Sequence, residues 1–364
     1  MIRGEAGRLQ RVVGIPGAVL MGLGSILGTG IFVSIGIAAG IAGPSVILAV
    51  VIAAAVATFN GLSSAQLAAS HPVSGGTYEY GYRYLSPAFG FTAGWMFLVA
   101  KSASAATAAL GFAGYVLHAY GYTGVTIRIV LAVAIVALLT IVVAGGMRRS
   151  NRSNAVIVSL TVAVLLLFVA AVFPAAFDGA SVHLAAFFDG QDTGLRGLLH
   201  ATALMFVAYT GYGRIATLGE EIRNPRRNIP AAIIITLIVS MLLYAAVAFV
   251  AVSAVGASAL AEATRSAAAP LEAVVQQLGL PGIAWVVTIG AVTAMLGVLL
   301  SQILGISRML FALARRRDLP PTLAHVHPVY GVPDRGILLT GLAAVMIALF
   351  GTLQAIVAAA TSSS

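Results

Sequence analysis

The chain has 364 residues, of which 60% are hydrophobic and only 9% are charged, and it contains no cysteine. This composition excludes a soluble globular domain and is typical of a helical membrane protein with several spanning segments. The absence of cysteine excludes disulfides, thiol catalysis and cysteine-ligated metal. The formal net charge is +9, and the arginines lie in short loops. This distribution indicates an orientation of the chain in the membrane rather than nucleic-acid binding.

Nine apolar segments are long enough to span a bilayer, which requires about 20 residues. They lie at about 14–41, 45–69, 88–118, 126–145, 154–177, 196–219, 229–256, 282–313 and 335–360. If the N-terminus is cytoplasmic, fourteen arginines fall inside, namely Arg3, Arg8, Arg11, Arg83, Arg148, Arg149, Arg152, Arg223, Arg226, Arg227, Arg315, Arg316, Arg317 and Arg335. Only Arg128, Arg196 and Arg265 fall outside. This asymmetry predicts a multi-pass protein of the cell membrane with a cytoplasmic N-terminus.

The first segment contains a glycine-rich stretch, Gly24–Phe32, with glycine at 24, 28 and 30. Glycine inside a helix costs about 1 kcal/mol relative to alanine, so a break in the spanning helix is predicted here. Backbone groups freed within a bilayer are tolerated where they line a cavity or are buried in protein. The stretch is therefore either a ligand site or a close helix contact through small residues.

The first inside loop, from Ser70 to Pro87, carries a turn followed by tyrosines at 78, 80, 82 and 84. Tyrosine prefers the membrane interface, where its ring is buried and its hydroxyl is hydrated. We expect a short helix along the cytoplasmic face, and an ordinary aromatic belt is compatible with the same pattern.

The sixth segment is interrupted at Gly211 and Gly213, and Arg214 follows at once. It runs antiparallel to the first segment and lies five segments later. Two such interrupted helices favour an inverted-repeat transporter with its site between them. The helix beginning near Thr29 and Gly30 would present N–H groups and a positive dipole end to a carboxylate. Carbonyls near Ile26 and at 207–210 would suit an ammonium group, so the pair complements a zwitterionic amino acid.

Several motifs along the chain resemble those of the amino acid–polyamine–organocation (APC) superfamily of permeases. They occur in the family's order and are Gly24–Phe32, Pro72–Tyr78, Ala208–Tyr212, Gly219–Pro230, Ser307–Arg315 and Leu319–Pro321. The resemblance implies secondary transport by alternating access in an all-α polytopic fold of five plus five helices, with helices 1 and 6 discontinuous. It implies substrate contacts at the two breaks, for which the candidates are Ile26, Gly28, Thr29, Gly30, Val207, Thr210 and Gly211.

On this interpretation residues 1–364 form a single transporter domain, with repeat one at about 14–177 and repeat two at about 196–360. The family typically has twelve spanning helices, and this chain would end before helix 10. The alternative is therefore a truncated, non-transporting homologue that acts as a sensor or partner subunit. An intramembrane enzyme is disfavoured, because no acid partner accompanies the ionisable groups at membrane depth.

Two departures from the family bear on the substrate and on coupling. Many proton-coupled members carry a lysine near the start of the fifth helix, where this chain has Thr161. Members that take arginine or its decarboxylation product carry a glutamate where this chain has Gly213. The second departure argues against cationic substrates, so neutral amino acids are favoured, and an acidic substrate stays open.

Two charged residues lie within predicted spans. Because a charge at membrane depth is costly, both residues are candidates for a function. Lys101 is the only lysine and lies midway along the third segment. It either couples transport to protons or is a packing lysine that snorkels. Arg214 either meets an acidic group of the substrate, forms an inner gate with Glu79, Glu220 or Glu221, or lies in a hydrated vestibule.

The remaining chemistry that the sequence offers is limited. The hydroxyl residues Thr288, Thr293 and Ser301 on the eighth segment include no adjacent pair, so sodium coupling is disfavoured. The six histidines are scattered and predict no metal site, and no cofactor is expected. The predicted partners are an amino acid, the lipid bilayer and possible coupling protons.

Overall fold

The computed structural model describes residues 9–362 except 121, 123, 189, 191, 193 and 268, and it describes side chains at these positions except 118, 266, 267 and 351–362. Arg3 and Arg8, which the orientation prediction places inside, lie outside the described residues. Within the described residues the regular structure is helical, and the single β-bridge joins Val13 to Ile222. The all-α prediction is confirmed to this extent.

Fourteen α-helices follow one another along the described chain. They are α1 (Ile15–Ile26), α2 (Ile35–Ala42), α3 (Val46–Ser70), α4 (Thr77–Tyr84), α5 (Pro87–Ala119), α6 (Val125–Ala144), α7 (Met147–His183), α8 (Gly194–Tyr209), α9 (Gly213–Ala216), α10 (Pro225–Val255), α11 (Ala257–Ala267), α12 (Pro270–Gln277), α13 (Pro281–Arg315) and α14 (Asp334–Ser362). A π-helix covers Gly30–Ser34, and 3₁₀ turns cover Gly43–Ser45, Thr210–Tyr212 and Pro321–Ala324.

Six helical stretches of the described chain are long and apolar enough to cross a membrane. One of them, Ile15–Ser70, has 56 residues, which is far longer than the roughly 20 residues that cross the hydrocarbon core. It turns at Gly43–Ser45, where Gly43 has a φ of 62°, and so contains two of the nine predicted segments. Helices also cover the sixth and ninth segments, but these two are not among the six stretches, so nine crossings stay a prediction.

The first helix lies at the centre of the bundle. α1 packs against α7, α10 and α13, while α3 packs against α8 and α10. Small residues make these contacts close, as on α3, where Ala49, Ala53 and Ala57 recur every four residues and are fully buried. Without water between helices, such close packing is a main source of helix association in a membrane. This packing keeps the first break buried within the helix bundle.

The connections contain short helices. α4 is the helix predicted in the first inside loop, and Tyr78 and Tyr80 on it are buried. α11 and α12 join α10 to α13 and were not predicted, because their mixed composition lacks the apolar length of a spanning segment.

Candidate substrate site and its charged surroundings

The first break lies between Ile26 and Gly30. α1 ends at Ile26, and the N–H of Leu27 donates to the carbonyl of Leu23 at 2.7 Å. The chain resumes as a π-helix, in which Ile31 and Phe32 both donate to the carbonyl of Gly28 at 3.2 Å. The predicted discontinuity is therefore present.

The N–H groups around this break resemble those at the start of a helix, which lack an acceptor within the helix and are available to a ligand. Among the described residues, no acceptor is found for the N–H of Gly28. Thr29 and Gly30 stand at the start of the resuming helix, where N–H groups lack the acceptor that an earlier turn would supply. The same end carries the positive end of the helix dipole, so this edge of the break favours an anionic group.

The carbonyl of Ile26, predicted to face a substrate amine, already accepts a hydrogen bond. The hydroxyl of Tyr244 on α10 donates to it at 2.9 Å, and both groups are buried. A carbonyl oxygen has a second lone pair, so it can still accept from a ligand. Sequence reasoning missed Tyr244, and the signal for it was a single tyrosine in an apolar helix, which needs a partner for its hydroxyl.

The second break is milder than the first. α8 ends at Tyr209, a 3₁₀ turn covers Thr210–Tyr212, and α9 ends at Ala216. The hydroxyl of Thr210 donates to the carbonyl of Val207 at 2.8 Å. The helix is thus interrupted at the predicted place by a tightened turn, and one of the predicted carbonyl ligands carries an internal hydrogen bond.

Glycines bring the two breaks together. A Cβ on Gly211 would lie 2.6 Å from Cγ1 of Ile26 and 2.7 Å from the carbonyl oxygen of Ser25. A Cβ on Gly30 would lie 2.6 Å from the Cβ of Ala208. Real Cβ atoms do not approach other groups so closely, so only glycine fits at these two positions. The structure therefore brings Gly211 against Ile26 and Gly30 against Ala208, whereas the side chain of Val207 is largely exposed.

Two buried hydroxyls beside the breaks have no hydrogen-bond partner within the described part of the chain, those of Ser25 and Tyr209. The ring of Tyr209 packs at 5.0 Å from that of Tyr244. Buried polar groups are nearly always hydrogen-bonded in native proteins. Together with the free N–H of Gly28, these hydroxyls form a polar lining for the breaks.

Thr161 lies on α7 and is buried. Its hydroxyl is 3.0 Å from that of Thr293 on α13. On the same helix Asn154 contacts the first helix, since a Cβ on Gly24 would lie 2.6 Å from its Oδ1. Both amide atoms of Asn154 lack partners among the described residues, so Asn154 is a polar α7 residue against α1 that the sequence did not single out.

Arg214 does not form the ion pair that the sequence suggested. Its predicted partners are each bound by an arginine near the end of α13: Glu221 by Arg308 at 2.8 Å, Glu220 by Arg315 at 2.9 Å and Glu79 by Arg316 at 2.5 Å. The reason is geometric, because α13 runs past all three carboxylates while Arg214 points toward Thr217 and Gly305.

The end of α13 is also linked to α4. Tyr78 and Tyr82 each donate to a carboxylate oxygen of Asp318 at 2.7 Å. Burial and the hydrogen bond to Asp318 raise the pKa of Tyr78, so this phenol stays protonated and remains a donor. The ion pair of Glu79 with Arg316 adds a third link between the same two segments.

Comparison with known proteins identifies the family. The chain matches the family described as "Amino acid permease" over residues 17–363. The chain belongs to the amino acid permease family. This permease is 42% identical to an uncharacterized transporter of Mycobacterium tuberculosis, over 94% of its own length and 74% of the relative's.

Two relatives with assigned names come from Bacillus subtilis. One is a branched-chain amino acid permease, 30% identical over 89% of this chain and 71% of the relative. The other is a methylthioribose transporter, 30% identical over 96% of this chain and 77% of the relative. Family membership, these names and the apolar helices together support a multi-pass membrane transporter of amino acids rather than an enzyme.

Proposed function

We propose that this permease is a secondary transporter that carries α-amino acids across the cell membrane by alternating access, with proton coupling or exchange. The contact of Gly211 with Ser25 and Ile26 carries the proposal. It joins two interrupted helices at one place, where their ends offer unpaired donors and acceptors. The substrate frame is Ile26, Gly28, Thr29, Gly30, Val207, Thr210 and Gly211.

The substrate frame binds the α-carboxylate and the α-ammonium group, which all α-amino acids share. The α-carboxylate lies against the N–H groups at Gly28, Thr29 and Gly30, at the positive end of the resuming helix. The α-ammonium group lies against the carbonyls of Ile26 and Val207. Each carbonyl oxygen already accepts one hydrogen bond from a hydroxyl group. That bond orients the carbonyl group, and the second lone pair of the oxygen remains for the substrate.

The short connecting helices support two inverted repeats, at about 14–177 and 196–360. α4 lies between the second and third predicted segments, and α11 with α12 lies between the seventh and eighth. These places are five segments apart, as are the two breaks. In antiparallel repeats they fall on opposite sides of the membrane, and a cytoplasmic N-terminus puts α4 inside.

Uptake into proteoliposomes tests the proposal. A panel of labelled neutral, acidic and cationic amino acids should include at least one that accumulates or exchanges, and the cationic ones should be weakest because Gly213 offers no carboxylate. The sequence alone favours neutral amino acids. Failure of every amino acid under imposed pH and sodium gradients and in counterflow would contradict the proposed function.

Lys101→Ala is expected to abolish the stimulation of uptake by an inward proton gradient. Lys101 lies within α5, and its Nζ is 6.0 Å from the centre of the Phe97 ring. No carboxylate pairs with it among the described residues. Uptake with and without a pH step measures the effect, and counterflow serves as the control, because exchange needs no proton gradient. Unchanged stimulation in the variant would assign Lys101 to packing.

Replacing sodium with choline is expected to leave the initial rate of uptake unchanged within about twofold. Na⁺ requires several oxygen ligands, and Ser25 is the only hydroxyl residue between Gly14 and Leu27. Initial rates at constant ionic strength provide the measurement. A strong dependence on sodium would show that a cation site had been overlooked.

A further inference from the structure

Arg214 is a buried cation with two unused donors. Its side chain is 2% exposed, and its Nη1 donates to the hydroxyl of Thr217 at 2.6 Å. Nε and Nη2 have no hydrogen-bond partner within the described part of the chain. A guanidinium stays charged at any relevant pH, and a buried charge is costly unless it is paired. The two free nitrogens are therefore available to an anionic ligand.

The free nitrogens are those that bind a carboxylate side-on. Nε and Nη2 lie on one edge of the guanidinium and can donate to two oxygens in parallel. Arg308 uses the same edge in this structure, with Nε donating to one oxygen of Glu221 at 3.0 Å and Nη2 to the other at 2.8 Å. Arg214 presents the same pattern of donors without an internal acceptor.

The neighbouring charges do not neutralise Arg214. Arg308 occupies both oxygens of Glu221, so this group of two arginines and one glutamate keeps one positive charge. The other carboxylates predicted as partners, Glu79 and Glu220, are bound by Arg316 and Arg315. The surroundings of Arg214 therefore favour an anionic ligand.

A second cation lies nearby across an aromatic ring. A Cβ on Gly305 would lie 3.1 Å from Cδ of Arg214 and 3.7 Å from Cζ of Phe97. Lys101 lies one helical turn after Phe97 on α5, with its Nζ 6.0 Å from the centre of that ring. Phe97 therefore lies near both Lys101 and Gly305, the α13 residue that Arg214 packs against.

We propose that Arg214 binds the side-chain carboxylate of an acidic amino acid. The backbone of Arg214 adjoins the frame that holds the α-groups, because it comes three residues after Gly211, about 4.5 Å along a helix at 1.5 Å per residue. The inference rests on the proposed function, and it replaces the preference for neutral amino acids that the sequence alone suggested.

Binding of L-glutamate against L-glutamine tests the proposal, because the two differ in charge but hardly in size. The purified permease is expected to bind glutamate about 10- to 100-fold more tightly, as a charged bidentate contact implies. Arg214→Gln should remove most of that difference by weakening the binding of glutamate. Arg196→Gln serves as the matched control, since that side chain is 87% exposed, and it should keep the difference.

Thermal stabilisation of the unmodified permease gives a test that needs no variant. Glutamate or aspartate should raise its melting temperature, and glutamine or asparagine should raise it less. Stabilisation by chloride alone, measured against gluconate, would overturn the assignment to a substrate carboxylate in favour of a free inorganic anion. Equal binding of glutamate and glutamine, or transport of neutral amino acids only, would also overturn it and leave the proposed function standing. Failure of every amino acid would contradict both.

Discussion

Glu221→Gln is expected to lower the free energy of unfolding by about 3–5 kcal/mol, because it leaves Arg308 as an uncompensated buried charge. Both side chains are fully buried, and two hydrogen bonds of 2.8 and 3.0 Å join them. Thermal or denaturant unfolding of the purified protein in detergent measures the change.

An exposed ion pair provides the control for this prediction. Glu262 pairs with Arg265 at 2.9 Å, and both side chains are more than half exposed, so Glu262→Gln should cost at most about 1 kcal/mol. Adding Arg308→Met to Glu221→Gln should recover part of the loss, since the orphaned charge is removed. Equal effects of Glu221→Gln and Glu262→Gln would contradict the structural role of the buried pair.

Gly211→Ala is expected to reduce the initial rate of uptake about tenfold or more. The added methyl group would lie 2.7 Å from backbone atoms of Ser25 and 2.6 Å from Ile26. Backbone cannot move aside as a flexible side chain can, and overpacking of this kind costs about 1–3 kcal/mol. The two breaks would separate, and with them the two halves of the proposed frame.

Gly213→Ala is the matched control, two residues along the same interrupted helix. A Cβ at Gly213 meets nothing within 4 Å, so its uptake should stay close to that of the unmodified protein. Both variants should be compared at equal amounts of reconstituted protein. Similar rates for the two variants would show that the close approach at Gly211 is not required for transport.

The parts that sequence predicted best are those with a local cause. Apolar length predicted the helices, and glycine within an apolar run predicted the two interruptions, since both signals act within a few residues. The contact between the breaks joins residues far apart in sequence, and Gly30 and Gly211 were its local signs.

The pairing of charges was not predictable in the same way. Glu79, Glu220 and Glu221 were predicted as possible partners of Arg214, whereas Glu221 binds Arg308, 87 residues away. The hydroxyl of Tyr244 reaches Ile26 across 218 residues. Such contacts depend on how helices pack in three dimensions, and a single sequence contains no direct record of that packing.

The charged groups near the end of α13 link the second break to α4. Arg308, Arg315 and Arg316 bind carboxylates that follow the second break or lie on α4. Two of these ion pairs therefore join α13 to the segment that follows the second break, and the third joins the end of α13 to α4.

The proposed frame holds the α-carboxylate and the α-ammonium group of one amino acid between the two breaks. Competition against a transported amino acid in proteoliposomes tests this, using its decarboxylated amine and its deaminated acid as competitors. Removal of either α-group should weaken competition by about tenfold or more, since each competitor lacks the charged hydrogen bonds of the missing group. Competition by the amine or the acid as strong as by the intact amino acid would contradict it.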